Sequence, residues 1–152
     1  MSLSKRHTLI IGIILGVSLT LGCLGPEQIP DKQPITFEEL FSAPEKYHEQ
    51  TIVIDGFIFL GFETMVLSEE LIHSGYAEGH LIPSARMLWF EGGVPTEIYS
   101  RLHEQNMMGV GENYGKLRVE GVFSYGGEYG HLGMYHYQIT PSEIELLTWS
   151  PD

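Results

Sequence analysis

The residue types best suited to binding lie together in a stretch of glycine, tyrosine and histidine, residues 124–136. Four tyrosines in or beside this stretch could stack on a sugar or another planar group; they are Tyr125, Tyr129, Tyr135 and Tyr137. Four glycines among them would let a ligand approach the backbone closely. Because loops often carry binding sites, we predict a ligand-binding face here. The alternative is a flexible loop whose tyrosines pack against the body of the domain.

Four histidines in or beside loops suggest a second kind of site, a metal centre; they are His73, His80, His131 and His136. Glutamates lie near them in the sequence, and imidazoles with carboxylates suit zinc, copper or nickel. The spacing is seven residues in one pair and five in the other, whereas one face of a helix or strand requires four or two. Ordinary surface or hydrogen-bonded histidines are therefore the favoured interpretation, and a metal-handling protein is the alternative.

No catalytic signature occurs in the chain. The Gly-x-Ser-x-Gly, His-Glu-x-x-His and phosphate-binding-loop patterns are all absent. Serine, histidine and acidic residues are present, but their spacing gives no reason to place them together. The sequence therefore predicts a protein that is not an enzyme and uses no cofactor. A hydrolase without a recognisable signature is the alternative from the enzyme class.

The charge balance restricts the class of partner. All 20 acidic residues follow position 22, whereas only six of the lysines and arginines do, so residues 23–152 carry a net charge of −14. Such a surface repels phosphate backbones and anionic lipids alike. We therefore predict no nucleic-acid partner and no electrostatic docking on an anionic membrane.

The N-terminus has the organisation of an export signal. Lys5 and Arg6 precede an uncharged, mostly aliphatic stretch of 14 residues, 8–21. A bilayer-spanning helix needs roughly 20 residues, so this stretch better fits the apolar region of a signal peptide, and we assign residues 1–22 to it. Cys23 follows as the only cysteine, so no disulfide can form within the chain.

Gly22 directly before the lone Cys23, at the end of the apolar stretch, resembles the lipobox of bacterial and archaeal lipoproteins. Thr20 and Leu21 depart from the residues usual at those places. The resemblance implies cleavage before Cys23, a lipid on its thiol, and a domain anchored to the membrane outside the cytoplasm. Residues 23–35, with three prolines, form the spacer. The alternative is an uncleaved N-terminal anchor with an incidental buried cysteine, which also places the domain outside the cytoplasm.

The remaining residues alternate between short helices and strand patterns. Thr36 and Glu39 form a capping box that begins a helix. Residues 51–60 are β-branched and aromatic, which predicts a central strand with a bulge or sharp bend at Gly56. Two shorter strands are predicted at residues 64–67 and 86–91, separated by a long loop, residues 68–84.

A second helix is predicted from Pro95 to Gly109, because Ile98, Tyr99 and Leu102 form an apolar stripe. The alternating pattern of residues 115–124 and 135–147 predicts a long hairpin, with a break at Pro141. The resulting order is helix, three strands, helix, two strands. This is the order of the OB-fold, a small five-stranded Greek-key barrel.

Residues 37–47, followed by residues 51–56, resemble the entry of OB-type domains in exported proteins: a short helix, an Asn/Ala-Pro-x-Lys-Tyr turn and a strand ending in glycine. The resemblance implies a mainly β domain over residues 36–152. We expect a five-stranded OB-like Greek-key barrel with a helix between strands 3 and 4 and a short N-terminal helix. Such a fold hosts many functions, so it implies no particular ligand.

The five residues from His131 to Tyr135 are similar in spacing to the His-x-x-x-Tyr motif of the periplasmic haem chaperone of cytochrome c maturation, itself a membrane-tethered OB barrel. That family carries the motif in a tail after the barrel, whereas here it lies within the hairpin. The resemblance adds haem to the alternative of a metal-handling protein.

Together these observations predict a membrane-tethered, non-catalytic binding or assembly module on the extracytoplasmic surface. Its partner would be a protein, a small molecule or a glycan. The contact face is predicted at the open end of the barrel, near residues 125–137 and the loop of residues 68–84.

Overall fold

The computed structural model describes residues 33–84, 86–107 and 109–151. They belong to one compact unit, Lys32–Asp152. The predicted signal peptide and the predicted lipidation site, Cys23, lie outside the described residues. Two α-helices and eight β-strands are present in the described part: α1 (Phe37–Ser42), β1 (Gln50–Gly61), β2 (Thr64–Ser68), β3 (Leu71–His73), β4 (Leu81–Pro83), β5 (Met87–Phe90), α2 (Thr96–Tyr99), β6 (His103–Met107), β7 (Val110–Tyr129) and β8 (Tyr135–Leu146).

The predicted capping box begins α1 and is confirmed. The Thr36 hydroxyl accepts a hydrogen bond from the Glu39 backbone N–H at 3.1 Å, and a Glu39 carboxylate oxygen accepts one from the Thr36 backbone N–H at 2.8 Å. These bonds satisfy backbone donors that a helix start would otherwise leave unpaired. The helix then buries Phe37 and Leu40 against the sheet.

The capping box makes the first testable prediction. The backbone N–H of Thr36 and then its hydroxyl lower the pKa of Glu39 from its ordinary value of 4.5. Glu39 therefore stabilises the fold above that value, and the contribution is lost as the pH falls through the lowered pKa. In Thr36→Ala the hydroxyl is removed, so the Glu39 pKa should rise partway towards its ordinary value in a ¹³C NMR titration.

Ser42→Ala is the matched control for this titration, because the Ser42 hydroxyl donates to the Glu39 backbone carbonyl and not to its carboxylate. The Glu39 pKa should stay lowered in that variant. An unchanged Glu39 pKa in Thr36→Ala would show that the Thr36 hydroxyl does not contribute to the lowered pKa of this carboxyl group.

Five strands form a closed sheet. β1 pairs antiparallel with β2 at one end and with β7 along nearly its whole length. β2 pairs with β5, β5 pairs in parallel with β8, and β8 returns to β7. β6 pairs antiparallel with the start of β7 as an edge strand, while β3 and β4 form a separate two-stranded sheet. The prediction of a mainly β domain is confirmed.

The number and limits of the elements differ from the prediction of five strands. The predicted long loop, residues 68–84, contains the β3–β4 hairpin, and the predicted helix from Pro95 to Gly109 ends at Tyr99. The residues after Tyr99 form β6, which pairs with the start of β7. Gly109 adopts a φ of 86° in this turn, and its N–H donates to the Asn106 side chain. Pairing with β7 thus overrides a weak helical pattern.

The two predicted irregularities have different outcomes. Strand pairing runs through Gly56 without interruption, so the predicted bulge does not occur, and the alternative of a sharp bend stays a prediction. A Cβ atom at Gly56 would lie 2.9 Å from the Ser68 carbonyl oxygen and 3.0 Å from the Phe37 ring, so the glycine permits a close approach of β2 and α1. The predicted break at Pro141 is confirmed, because the pairing of β7 with β8 shifts by one residue between Glu120 and Gly121.

The barrel has two hydrophobic clusters. The larger one fills the interior and includes Phe90, Phe123 and Ile139, all fully buried, with α1 closing one side. The smaller one contains Phe59, Val66, Leu81 and Tyr114, with the half-buried rings of Trp89, Tyr135 and Trp149 around it. Among the residues that the structure describes, no helix is long and apolar enough to cross a bilayer.

Candidate functional site

Two loops meet at one end of the barrel. The β1–β2 turn (residues 61–64) and the β7–β8 loop (residues 130–134) approach each other across β5, which pairs with β2 on one side and with β8 on the other. His131 Nε2 lies 3.2 Å from Glu63 Oε2, which makes an ion pair whenever the imidazole is protonated. The two loops therefore share one surface, although 68 residues separate Glu63 from His131.

A groove of about 530 Å³ opens beside this contact. Its walls are mainly apolar and aromatic, with one carboxylate and one imidazole. The lining residues are Leu60, Gly61, Glu63, Thr64, Met65, Trp89, Val94, Tyr99 and His131. An apolar cleft with a few polar groups is the usual form of a binding site.

Trp89 lines the groove, and three contacts hold its ring. The indole N–H donates to a Glu91 carboxylate oxygen at 2.7 Å. The Tyr135 ring lies 5.3 Å away, centre to centre, at an angle of 41°. Gly130 packs against the indole so closely that a Cβ atom there would lie 2.5 Å from the ring. The sequence therefore fixes the orientation of this side chain before any ligand is present.

The two loops that border the groove form its rim and expose several apolar side chains. Phe62 is 73% exposed in the β1–β2 turn, and Leu132 and Met134 are 83% and 71% exposed in the β7–β8 loop. Tyr99, on the groove wall, is 47% exposed. The other large exposed apolar side chains of the described residues lie elsewhere, on the β3–β4 hairpin and on β7; they are Ile72, Tyr76, Val110 and Val122. Clustered exposure of this kind marks interaction surfaces.

The structure divides the four predicted tyrosines between two places. Tyr125 and Tyr137 stack at 6.3 Å, and Tyr137 packs 4.4 Å from Phe41 of α1. Both belong to the wall of the main core. Tyr135 packs on Trp89 behind the groove, and Tyr129 pairs with it across the hairpin. The tyrosines therefore do not form one stacking platform, and only Tyr135 contacts the groove through Trp89.

The predicted histidines also lie apart. His131 lines the groove, and His136 Nδ1 lies 3.2 Å from the Gly127 carbonyl oxygen on the hairpin. His73 is exposed beside a second cavity of about 480 Å³, near Trp149. His80 is buried. No three histidine, cysteine, aspartate or glutamate side chains in the described part are grouped so that they could hold a metal ion. The metal and haem alternatives stay predictions without a geometric basis.

His80 belongs to a polar network that sequence reasoning missed. Its Nδ1 lies 2.8 Å from Ser74 Oγ, and its Nε2 lies 2.9 Å from Glu112 Oε2. The Gln105 side chain donates to the same carboxylate oxygen and also bonds the backbone N–H and C=O of Leu81. The network thus joins the β3–β4 hairpin to β6 and β7. Only pairing of strands brings Glu112 to His80, so no local pattern indicates it.

Serine, histidine and glutamate are the residue types of a hydrolytic triad, but the geometry differs from one. In serine hydrolases Nε2 faces the serine and Nδ1 faces the carboxylate, and here the two ring nitrogens are exchanged. The Ser74 hydroxyl also accepts a hydrogen bond from the Tyr76 backbone N–H. We interpret the network as a structural clamp on the hairpin.

The clamp makes a testable prediction about local stability. In His80→Ala the partly buried Glu112 carboxylate and the Ser74 hydroxyl each lose a partner, so the β3–β4 hairpin should open more often. Hydrogen–deuterium exchange of the amides of residues 71–83 should accelerate by about 5- to 150-fold, because two hydrogen bonds are lost and each typically contributes about 0.5–1.5 kcal/mol. His136→Ala, which changes an exposed histidine of β8 outside the network, is the control and should leave these amides unchanged. Equal exchange in both variants would contradict the clamp.

No protein-family model matches the chain, and neither a curated protein nor a solved structure matches it significantly.

Proposed function

We propose that this chain is a membrane-tethered, non-catalytic binding or assembly module on the extracytoplasmic surface. The observation that carries the proposal is the groove at the meeting point of the two loops, with Trp89 on its wall and exposed apolar side chains on its rim. A large apolar rim is costly to expose to water, so it favours a partner that covers it. The His80 network supplies no reactive group in the groove.

We further propose that the barrel is an OB-fold whose five strands are β1, β2, β5, β7 and β8. The ring of pairings, with its parallel contact between β5 and β8, supports this assignment. OB-folds bind ligands on the face of strands 2 and 3, between the loop joining strands 1 and 2 and the loop joining strands 4 and 5. In this chain those loops correspond to the β1–β2 turn and the β7–β8 loop, which border the groove.

The membrane tether rests on the N-terminal pattern and on Cys23 in particular. The mature protein, extracted from the membranes of its own host, should begin at Cys23 and carry additional lipid mass in intact-mass spectrometry. Cys23→Ser should lose that mass and should no longer be processed at this place. A mature chain that still begins at Met1, with no lipid, would contradict the tether.

The groove is tested by paired substitutions of exposed residues in the native host. Phe62→Ser combined with Leu132→Ser removes apolar area from the rim without touching the core. We expect the variant to remain in the membrane but to lose whatever co-purifies with the unaltered protein. Val122→Ser, which changes an exposed apolar side chain of β7, is the control and should retain the partner. Loss in both variants, or in neither, would refute the groove as the contact face.

A further inference from the structure

The charged side chains at the groove are mainly acidic. Its lining contains one carboxylate, Glu63, and none of the lysines and arginines of the described residues. Two further carboxylates contact the elements that border it: Glu91 bonds the indole N–H of Trp89, and Glu128 packs against Gly133 in the loop that carries His131. The only basic group on the wall, His131, is paired with Glu63. Carboxylates therefore outnumber lysines and arginines around the groove, which favours a cationic ligand.

Two aromatic rings of the groove also favour a cationic ligand. Trp89 and Tyr99 both line it, and the Tyr99 hydroxyl donates to the Asn113 side chain at 2.8 Å, which limits the movement of the ring. The faces of indole and phenol rings attract ammonium and guanidinium groups. A cation in the groove would thus meet aromatic faces and carboxylates together, whereas an anionic group would meet neither a lysine nor an arginine.

We propose that the occupant of the groove is a cationic peptide segment of a partner protein, in which lysine or arginine residues alternate with apolar ones. The inference rests on the proposed binding function and adds the chemical class of the partner. Apolar side chains of the segment would cover Leu60, Met65 and the exposed rim, as apolar anchors do at protein interfaces. Its cations would lie near the three glutamates, where complementary charge fixes orientation and raises the association rate.

The test uses the full-length chain in mild detergent with Trp149→Phe. The sequence has two tryptophans, so Trp89 then becomes the only tryptophan reporter. Three synthetic peptides of equal length are titrated: one alternates lysine with leucine, the second replaces each lysine by glutamate, and the third replaces each lysine by serine. We expect the lysine peptide to change the Trp89 emission in a saturable way, and to bind at least about tenfold more tightly than the glutamate peptide.

Matched variants locate the charge. Glu63→Gln combined with Glu128→Gln should weaken binding of the lysine peptide by about three- to tenfold, as expected for the loss of two partly exposed charge pairs. Added salt should reduce the difference. Glu38→Gln combined with Glu45→Gln removes the same charge from exposed positions near α1. Its affinity for the lysine peptide should stay within about twofold of that of the unaltered protein.

Other outcomes would overturn the proposal in distinguishable ways. Equal binding of the serine and lysine peptides would refute the cationic class but leave the groove as a binding site. Quenching of Trp89 by brominated phosphatidylcholine in nanodiscs would assign the groove to a lipid surface. A concentration-dependent emission change without peptide would assign it to a second copy of the chain. If no peptide binds while Phe62→Ser with Leu132→Ser still releases a partner, the peptide class is wrong and the proposed function stands.

Discussion

Replacing Phe123 with alanine is expected to lower the free energy of unfolding by about 3–5 kcal/mol, the range for removing a buried phenylalanine. Phe123 is fully buried at the point where three strands meet. It lies on β7 opposite Gln50 of β1 and opposite Ile139 of β8. Its ring also stacks 6.3 Å from that of Tyr137. The cavity left by alanine would border the pairings of β7 with β1 and with β8. Neither β1 nor β8 could move into the cavity without disturbing these pairings.

Urea denaturation followed by circular dichroism measures this effect as a lower midpoint with an unchanged slope. The neighbouring substitution Val122→Ala is the matched control, because Val122 is 37% exposed on the same strand. It should cost less than about 1 kcal/mol, as surface substitutions usually do. Similar midpoints for the two variants would contradict the described packing of β7.

The second large effect is expected at Gly130, which connects the fold to the groove. Gly130 has φ 68° and ψ −162°, a region that is essentially restricted to glycine. A Cβ atom at this position would also lie 2.5 Å from the Trp89 ring and 2.8 Å from the Tyr135 ring. Backbone strain and overpacking cost about 1–3 kcal/mol each, so Gly130→Ala should lower the free energy of unfolding by about 2–6 kcal/mol and move Trp89.

Gly126→Ala separates the two causes, because Gly126 has φ 84° but no heavy atom within 4 Å of the position of a Cβ atom. It should cost about 1–2 kcal/mol from backbone strain alone and leave Trp89 in place. Fluorescence emission of Trp89 in the Trp149→Phe background should shift in Gly130→Ala and stay constant in Gly126→Ala. If both variants shift the emission equally, the close contact between Gly130 and Trp89 is wrong.

Local sequence patterns predicted much of the barrel. The capping box of Thr36 and Glu39 depends on residues three apart, and the strand character of β1 depends on its own β-branched and aromatic side chains. The shift in apolar alternation at Pro141 likewise coincides with a shift of strand pairing. Each of these features is encoded within a few residues, so periodicity and turn chemistry suffice to find it.

Features that depend on distant partners could not be predicted. β6 is a strand because the start of β7 pairs with it, whereas its own sequence pattern predicts the end of a helix. The groove needs Glu63 beside His131 and Gly130 beside Trp89, contacts that exist only after the sheet closes. The sequence pattern predicts that the four tyrosines share one hairpin, but strand pairing decides that Tyr137 packs on Phe41 and Tyr125 on Tyr137, in the core wall.

The central claim is that the two loops form one surface that is covered by a partner in the native membrane. Hydrogen–deuterium exchange of the protein in isolated host membranes, compared with the purified protein in detergent, tests it directly. We predict slower exchange in membranes at the amides of residues 61–64 and 130–134, with little change around Val110 and Val122. Equal exchange at both loops in the two preparations, or protection centred on Val110 and Val122 instead, would contradict it.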